Sequence, residues 1–239
     1  MNNNQFLNKA YWLKYLGIKP KEVPDSIIIY GSWFFDKTLN YLEKYTTSKK
    51  TTTLPNFFIG KIDNQAIGYS VVYGSTMAAE IAHIACVIGI KKIIFIGSYL
   101  DLSNNKNIIM IPNKAVSAEG VMEWYSNKKS FNCSKDLENK IKKQFIEKNI
   151  LPNTGSIKTL SFMLMENKKS FKKDINQKVN GLDLETAAIY GVAEFFKIKA
   201  IAILIKSEQY HKDKINYISQ AEKLKAKNNL FALLPSLLK

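Results

Sequence analysis

Seven short runs crowded with Ile, Val, Phe and Tyr set the strongest limit on what this chain can fold into: Ser26–Tyr30, Phe57–Lys61, Ala66–Tyr73, Ile93–Ile96, Ile108–Ile111, Lys158–Met165 and Ala200–Ile205. Several are nearly continuous in apolar character, which is the pattern of buried strands. Helical spacing lies between them. Between Tyr73 and Lys91, the residues Ile81, Ile84, Ala85 and Ile88 follow an i, i+3, i+4, i+7 pattern that ends at Gly89, so strand, helix and strand form a crossover unit. Thr186–Phe196 repeats the logic and leads through Lys197-Ile198-Lys199 into the strand Ala200–Ile205. Ser134–Lys148 and Ile215–Leu233 complete the expected helices, the latter ending near Pro235. Lys168–Lys178 is polar and rich in lysine, and reads as a mobile surface connection. Without a fixed-period repeat or a long linker, residues 1–239 read as one α/β domain, a central mixed sheet flanked by helices.

Composition narrows the function. The 239 residues are 46% hydrophobic and 23% charged, enough to bury a full core. No apolar run approaches the roughly 20 residues that span a bilayer. The opening Met1-Asn2-Asn3-Asn4-Gln5 lacks a signal-peptide layout. The expected location is the cytoplasm, with no membrane partner. The net charge of +15 raises nucleic acid as a partner, because lysines that neutralise phosphates release counterions. The chain has no arginine, however, and its lysines are scattered in pairs, so no nucleic-acid surface is expected. Cys86 and Cys133 have no zinc or redox spacing, so no metal is expected and both read as reduced thiols.

Gly181-Leu182-Asp183-Leu184-Glu185-Thr186-Ala187-Ala188 places two carboxylates at a helix start, just after a glycine-containing turn. Asp183 can cap the helix, with Glu185 in its first turn. Alternatively, an acid here accepts hydrogen bonds from two adjacent sugar hydroxyls.

Four segments, taken in order, resemble the nucleoside phosphorylase and nucleosidase superfamily of the purine nucleoside and uridine phosphorylase type, whose members cleave N-glycosidic bonds. The first is Gly74-Ser75-Thr76-Met77-Ala78-Ala79-Glu80 with Ile88–Ser98, similar to the family's small-residue turn, helix, and strand ending in a glycine-rich loop. The second, Ile109–Gly120, is similar to the strand leading to the family's Glu-Gly element at Glu119-Gly120, with Tyr125 following. The third, Asp183-Leu184-Glu185-Thr186-Ala187-Ala188, resembles an Asp-Met-Glu-Thr/Ser-Ala signature. The fourth, Leu204-Ile205-Lys206-Ser207-Glu208, occupies the place of a strand followed by Ser-Asp.

The resemblance implies a partly barrel-like sheet, a homo-oligomer and a small-molecule nucleoside as ligand. It assigns Glu185 and Leu184 to the ribose, and Glu208 and Glu119 to catalysis. Gly74, Ser75, Thr76 and Ser98 fall to the phosphate or water site, and Tyr99, Leu100 and Asp183 to the base pocket. No cofactor is implied beyond inorganic phosphate as a co-substrate.

The departures concern the anion and the base. Phe95 stands where the family's phosphorylases carry a phosphate-binding arginine, and a second such arginine would fall near Met165. Leu100, after Tyr99, replaces the glycine that leaves room for the base, and Glu208 replaces an aspartate. Glycosidic cleavage develops positive charge on the ribose and negative charge on the departing base, so it needs an anion near one and an acid near the other. Glu185 and Glu208 are the candidates, each with a bland alternative: a helix-start acid for Glu185, a solvated loop carboxylate for Glu208. Glu119 either positions a water or is an exposed turn acid. His83 and His211 read as surface residues. Phosphorolysis, hydrolysis and a non-catalytic binding or structural subunit all remain compatible with the residues, as do purine and pyrimidine ligands.

Overall fold

The computed structural model describes residues 7–164 and 166–238, and the residues below are drawn from these. Met165 and the first five residues, on which two of the expectations above rest, lie outside them. The strands run β1 (Ser26–Gly31), β2 (Thr47–Thr51), β3 (Phe57–Ile62), β4 (Gln65–Val72), β5 (Lys92–Asp101), β6 (Ile109–Ala118), β7 (Ser130–Asn132), β8 (Asn153–Leu160), β9 (Gly181–Asp183), β10 (Lys199–His211) and β11 (Lys214–Tyr217). The helices are α1 (Lys9–Leu16), α2 (Phe35–Glu43), α3 (Ser75–Ile88), α4 (Lys135–Glu147), α5 (Lys168–Asn176), α6 (Thr186–Phe195) and α7 (Gln220–Leu238).

The strands form one mixed sheet in the order β11-β10-β6-β8-β9-β5-β1-β4-β3-β2, with β7 on β6. An added pairing of β5 with β10 closes β10, β6, β8, β9 and β5 into a barrel. The expected partly barrel-like α/β architecture is therefore present. Closure depends on the length of β5: its first half pairs in parallel with β1, while its tip, Leu100 and Asp101, pairs antiparallel with β9.

Apolar runs without alternation are explained by burial on both faces. In β1, Ile27 and Ile29 join the core beneath α1, α3 and α6, whereas Ile28 and Tyr30 join the one beneath α2, α4 and α7. β5 repeats the split with Ile93 and Phe95 against Ile94 and Ile96. A strand residue turns to the opposite face at each step, so both sets must be apolar. Each such side chain contributes about 1.5–3 kcal/mol on full burial. A third, smaller cluster joins Leu100, Leu182, Leu184, Phe171 and Tyr210 at the β9 end.

Three expectations change. Lys168–Lys178 is not a mobile connection. Its residues Lys168–Asn176 form α5, where the Asn167 side chain accepts from the Lys169 and Ser170 amides. Phe171 and Asp174, three apart, face inward, and Lys158 pairs with Asp174 at 2.8 Å. The lysines hide a short helix because they occupy its outer face. Ile215–Leu233 is not one helix either. Lys212 and Asp213, both with left-handed φ (49° and 61°), make a two-residue turn that folds β11 back on β10. The helix begins only at Gln220 and carries Pro235 inside its last turn. The strand expected at Lys158–Met165 begins earlier, at Asn153, and stops at Leu160.

Candidate active site

Glu185 sits where β9 gives way to α6, and its surroundings decide between cap and clamp. Asp183 does the capping. Its Oδ2 accepts from the Thr186 amide at 2.8 Å and from the Thr186 hydroxyl, while its Oδ1 accepts from the Thr159 hydroxyl at 2.6 Å. Thr159 Oγ1 in turn accepts from the Ala187 amide at 2.8 Å. Orphan amides of the first helical turn are thus satisfied from β8 and β9. The glycine before this motif is not in a turn: Gly181 is extended, in β9, and a Cβ there would sit 2.6 Å from the Tyr99 ring.

With the cap supplied by Asp183, the Glu185 side chain turns the other way. Its Oε1 accepts from the Gly74 amide at 2.8 Å, across 111 positions of sequence. Gly74 precedes α3 at a φ of 81°, a left-handed value that only glycine adopts without strain. A Cβ on Gly31 would lie 3.2 Å from Glu185 Cδ and Oε2 and 2.9 Å from Phe95 Cζ. The end of β1 and the turn after β4 therefore meet around one carboxylate that is only 5% exposed, with Phe95 of β5 on the other side of Gly31.

Among the described residues no cation pairs with it. Burial, and then the neighbouring Asp183 charge, push Glu185 up to about 8. Burial also raises Asp183, to about 6, against the pull of the Thr159 and Thr186 hydrogen bonds. Of the two acids, the better hydrogen-bonded Asp183 ionises first.

The anion and base sides differ. Phe95 is fully buried, its ring housed between Gly31 and Gly97, where a Cβ would lie 2.8 Å from Phe95 Cε1. Tyr99 and Leu100 are 2% and 3% exposed and belong to the core instead of an open pocket. Gly74 has its amide committed to Glu185. Ser75 is buried, while Thr76 and Ser98 are exposed. Leu184 packs with Leu100 and Leu182.

Glu208 does not lie past the end of its strand, since β10 continues to His211. It sits at a bulge between Lys206 and Glu208, where the single Ser207 hydroxyl lies within hydrogen-bond reach of Glu208 and, at 3.1 Å, of the Tyr99 carbonyl. Glu119 follows β6, and both its carboxylate oxygens are shielded from solvent without a partner. Its main-chain carbonyl accepts from Ser161 at 3.0 Å. His83 is half-buried, bonded to the Tyr125 hydroxyl at 2.9 Å and edge-on to Phe196, so it is not a plain surface residue. Among the described residues no group of three or more acids, histidines or cysteines could hold a metal, and no helix is long and apolar enough to cross a membrane. Cys86 and Cys133 are free thiols.

Sequence reasoning missed three contributors: Gly31, Thr159 and a rim of aromatics. Trp33, 68% exposed, packs on Tyr73 with ring centroids 4.4 Å apart, just beyond the ends of β1 and β4. A glycine and serine at the end of a buried strand were the only signal for Gly31; a lone threonine in β8 gave none.

Residues 35–237 match the family model described as the phosphorylase superfamily. The chain belongs to that superfamily. No curated protein sequence matches it significantly. Among solved structures it is similar to a uridine phosphorylase from Vibrio fischeri ES114 complexed with 6-hydroxy-1-naphthoic acid. The TM-score is 0.75, the identity 17%, and the match covers 92% of each chain. At that identity the likeness establishes a shared fold. This phosphorylase-superfamily member carries Glu185 just before α6, with Phe95 approaching the same glycine, Gly31.

Proposed function

We propose that this superfamily member binds a nucleoside or nucleoside-like ligand at Glu185 and cleaves its N-glycosidic bond by hydrolysis. The observation that carries the reading is the position of Glu185. It is buried, fixed by the Gly74 amide and without a cation partner among the described residues, with Gly31 between it and Phe95. A carboxylate so held accepts hydrogen bonds from vicinal hydroxyls and stabilises positive charge developing on the sugar. Phosphorolysis would require an inorganic phosphate dianion to be held beside Phe95. A water needs no such counter-charge. Glu119, whose carboxylate has no partner among the described residues, is suited to orient that water, and Glu208, held by Ser207, to protonate the leaving base.

A second reading is favoured by one observation: Tyr99 and Leu100 are packed into the core where the base would lie. On that reading the chain is a non-catalytic subunit that kept the fold and the sugar-side glutamate. Incubation with a panel of purine and pyrimidine nucleosides, with and without phosphate, separates the cases. Release of free base that is independent of phosphate supports hydrolysis. Release that requires phosphate overturns it, and no release together with no ligand-induced rise in Tm supports the non-catalytic subunit.

A further inference from the structure

A concavity lies well away from Glu185 in the chain's fold. It is a groove between the 102–108 connection, the bulge of β10 and the start of α7, in two lobes of about 340 Å³ each. The lobes share Lys106, Ile108 and Glu222 as common walls, so they form one continuous depression.

Its chemistry is lopsided. The Asn104 side-chain oxygen accepts from Gln209 at 2.9 Å, and that of Asn105 accepts from the Asn107 amide at 3.0 Å. The acceptors of both amides are therefore occupied, and their N–H donors are left over. Glu222 is turned to Ser219, accepting from its amide and its hydroxyl (2.6 Å), in a capping arrangement at the start of α7. Lys206, 3% exposed, pairs with fully buried Asp101 at 2.7 Å and donates to the Asn105 carbonyl, which leaves one of its three N–H groups. Asp101 is itself saturated by Ser103 and the Asn105 amide. Lys106 lines both lobes and Lys225 the second, and neither makes an ion pair among the described residues. Ile108 and Ile218 supply apolar surface in one lobe, and Ile150 and Leu151 in the other, where Asn107, Asn149 and Asn229 also reach the wall.

We propose that this groove is a second ligand site, separate from Glu185, which takes a small amphipathic anion: a phosphate or carboxylate group at Lys106 and the Asn104 and Asn105 amides, with an apolar body over Ile108. Unpaired lysines and unused amide donors recognise negative charge, and the isoleucines accept the rest of the molecule. A buried, saturated Asp101–Lys206 pair holds the donor set in place without competing for it.

The probes are phenyl phosphate and benzoate, which distinguish the two head groups, with inorganic phosphate and neutral benzyl alcohol as controls. Binding is read by calorimetry and by NMR shifts at 104–109 and the start of α7. At least one of the two aromatic anions should bind there, more tightly than benzyl alcohol and more weakly as salt is raised. Lys106→Gln should weaken it about tenfold, the loss expected for one charge-assisted hydrogen bond. Lys106 is exposed and unpaired, so the variant should keep its Tm, and Lys225→Gln gives a second reading. Glu185→Gln should leave binding unchanged. Absence of binding by both anions, equal binding of benzyl alcohol, indifference to both lysine variants, or loss in Glu185→Gln would overturn the proposal. The last result would place the anion at the glutamate site, whereas failure of nucleoside cleavage would leave the groove untouched.

Discussion

Glu185 and Phe95 approach the same glycine, Gly31, yet their surroundings follow opposite rules. On the glutamate side polar groups are held in register by main-chain amides and threonines, with Asp183, Thr159 and Thr186 forming the support. On the phenylalanine side apolar rings fill the space: Phe95 lies between two glycines, and Tyr99 packs on a third. The polar and the apolar side of Gly31 are therefore stabilised separately. One half can keep its geometry while the other becomes core, because each half is stabilised by different neighbours.

Breaking the polar half should have the largest effect. Glu185→Gln keeps the shape and the Gly74 contact, and is expected to abolish nucleoside binding or turnover, a loss of at least about a hundredfold for a group acting on developing charge. Base release and ligand-induced Tm shifts check it, and wild-type activity in the variant would sink the assignment. Breaking the apolar half should instead act on stability. Phe95→Ala is expected to cost about 3–5 kcal/mol by leaving a cavity between Gly31 and Gly97, read by urea unfolding. A loss below about 1 kcal/mol would show that the ring is not the filler it looks like.

Thr159→Val tests the support beneath the glutamate. It removes the donor to Asp183 and the acceptor of the Ala187 amide, and should destabilise the fold by about 1–3 kcal/mol. The variant should also weaken nucleoside binding, since α6 loses its anchor.

A separate effect concerns pH. Glu185 is raised to about 8 in the folded chain, from near 4.5 when unfolded. Between those values the folded state binds more protons than the unfolded one, so wild-type stability should fall as pH rises and level off above about 8. Glu185→Gln should lose that part of the slope; parallel wild-type and variant curves from pH 5 to 9 would refute the raised value.

Much of this was legible in the chain. Non-alternating runs such as Ile27–Tyr30 and Ile93–Ile96 announced a sheet covered on both faces, and Gly89 marked the end of α3. The motif around Glu185 was recognisable, but its division of labour was not. Local spacing already offered Asp183 as the cap, with Glu185 either beside it in the first turn or free to hold a ligand, and only the fold brings the Gly74 amide to Glu185. The lysine-rich α5 was missed because its inward residues, Phe171 and Asp174, are few and one is charged.

By itself the sequence determined the α/β class, the order of the crossover units and the family, because these rest on periodicity and on motifs read along the chain. Tertiary structure alone decided that the barrel closes through β5 and β10, and that Gly74 and Gly31 meet Glu185. Only there do Tyr99 and Leu100 become core. These are contacts between residues far apart in the chain. Their geometry depends on strand register and on the space left by missing side chains, which no local pattern encodes.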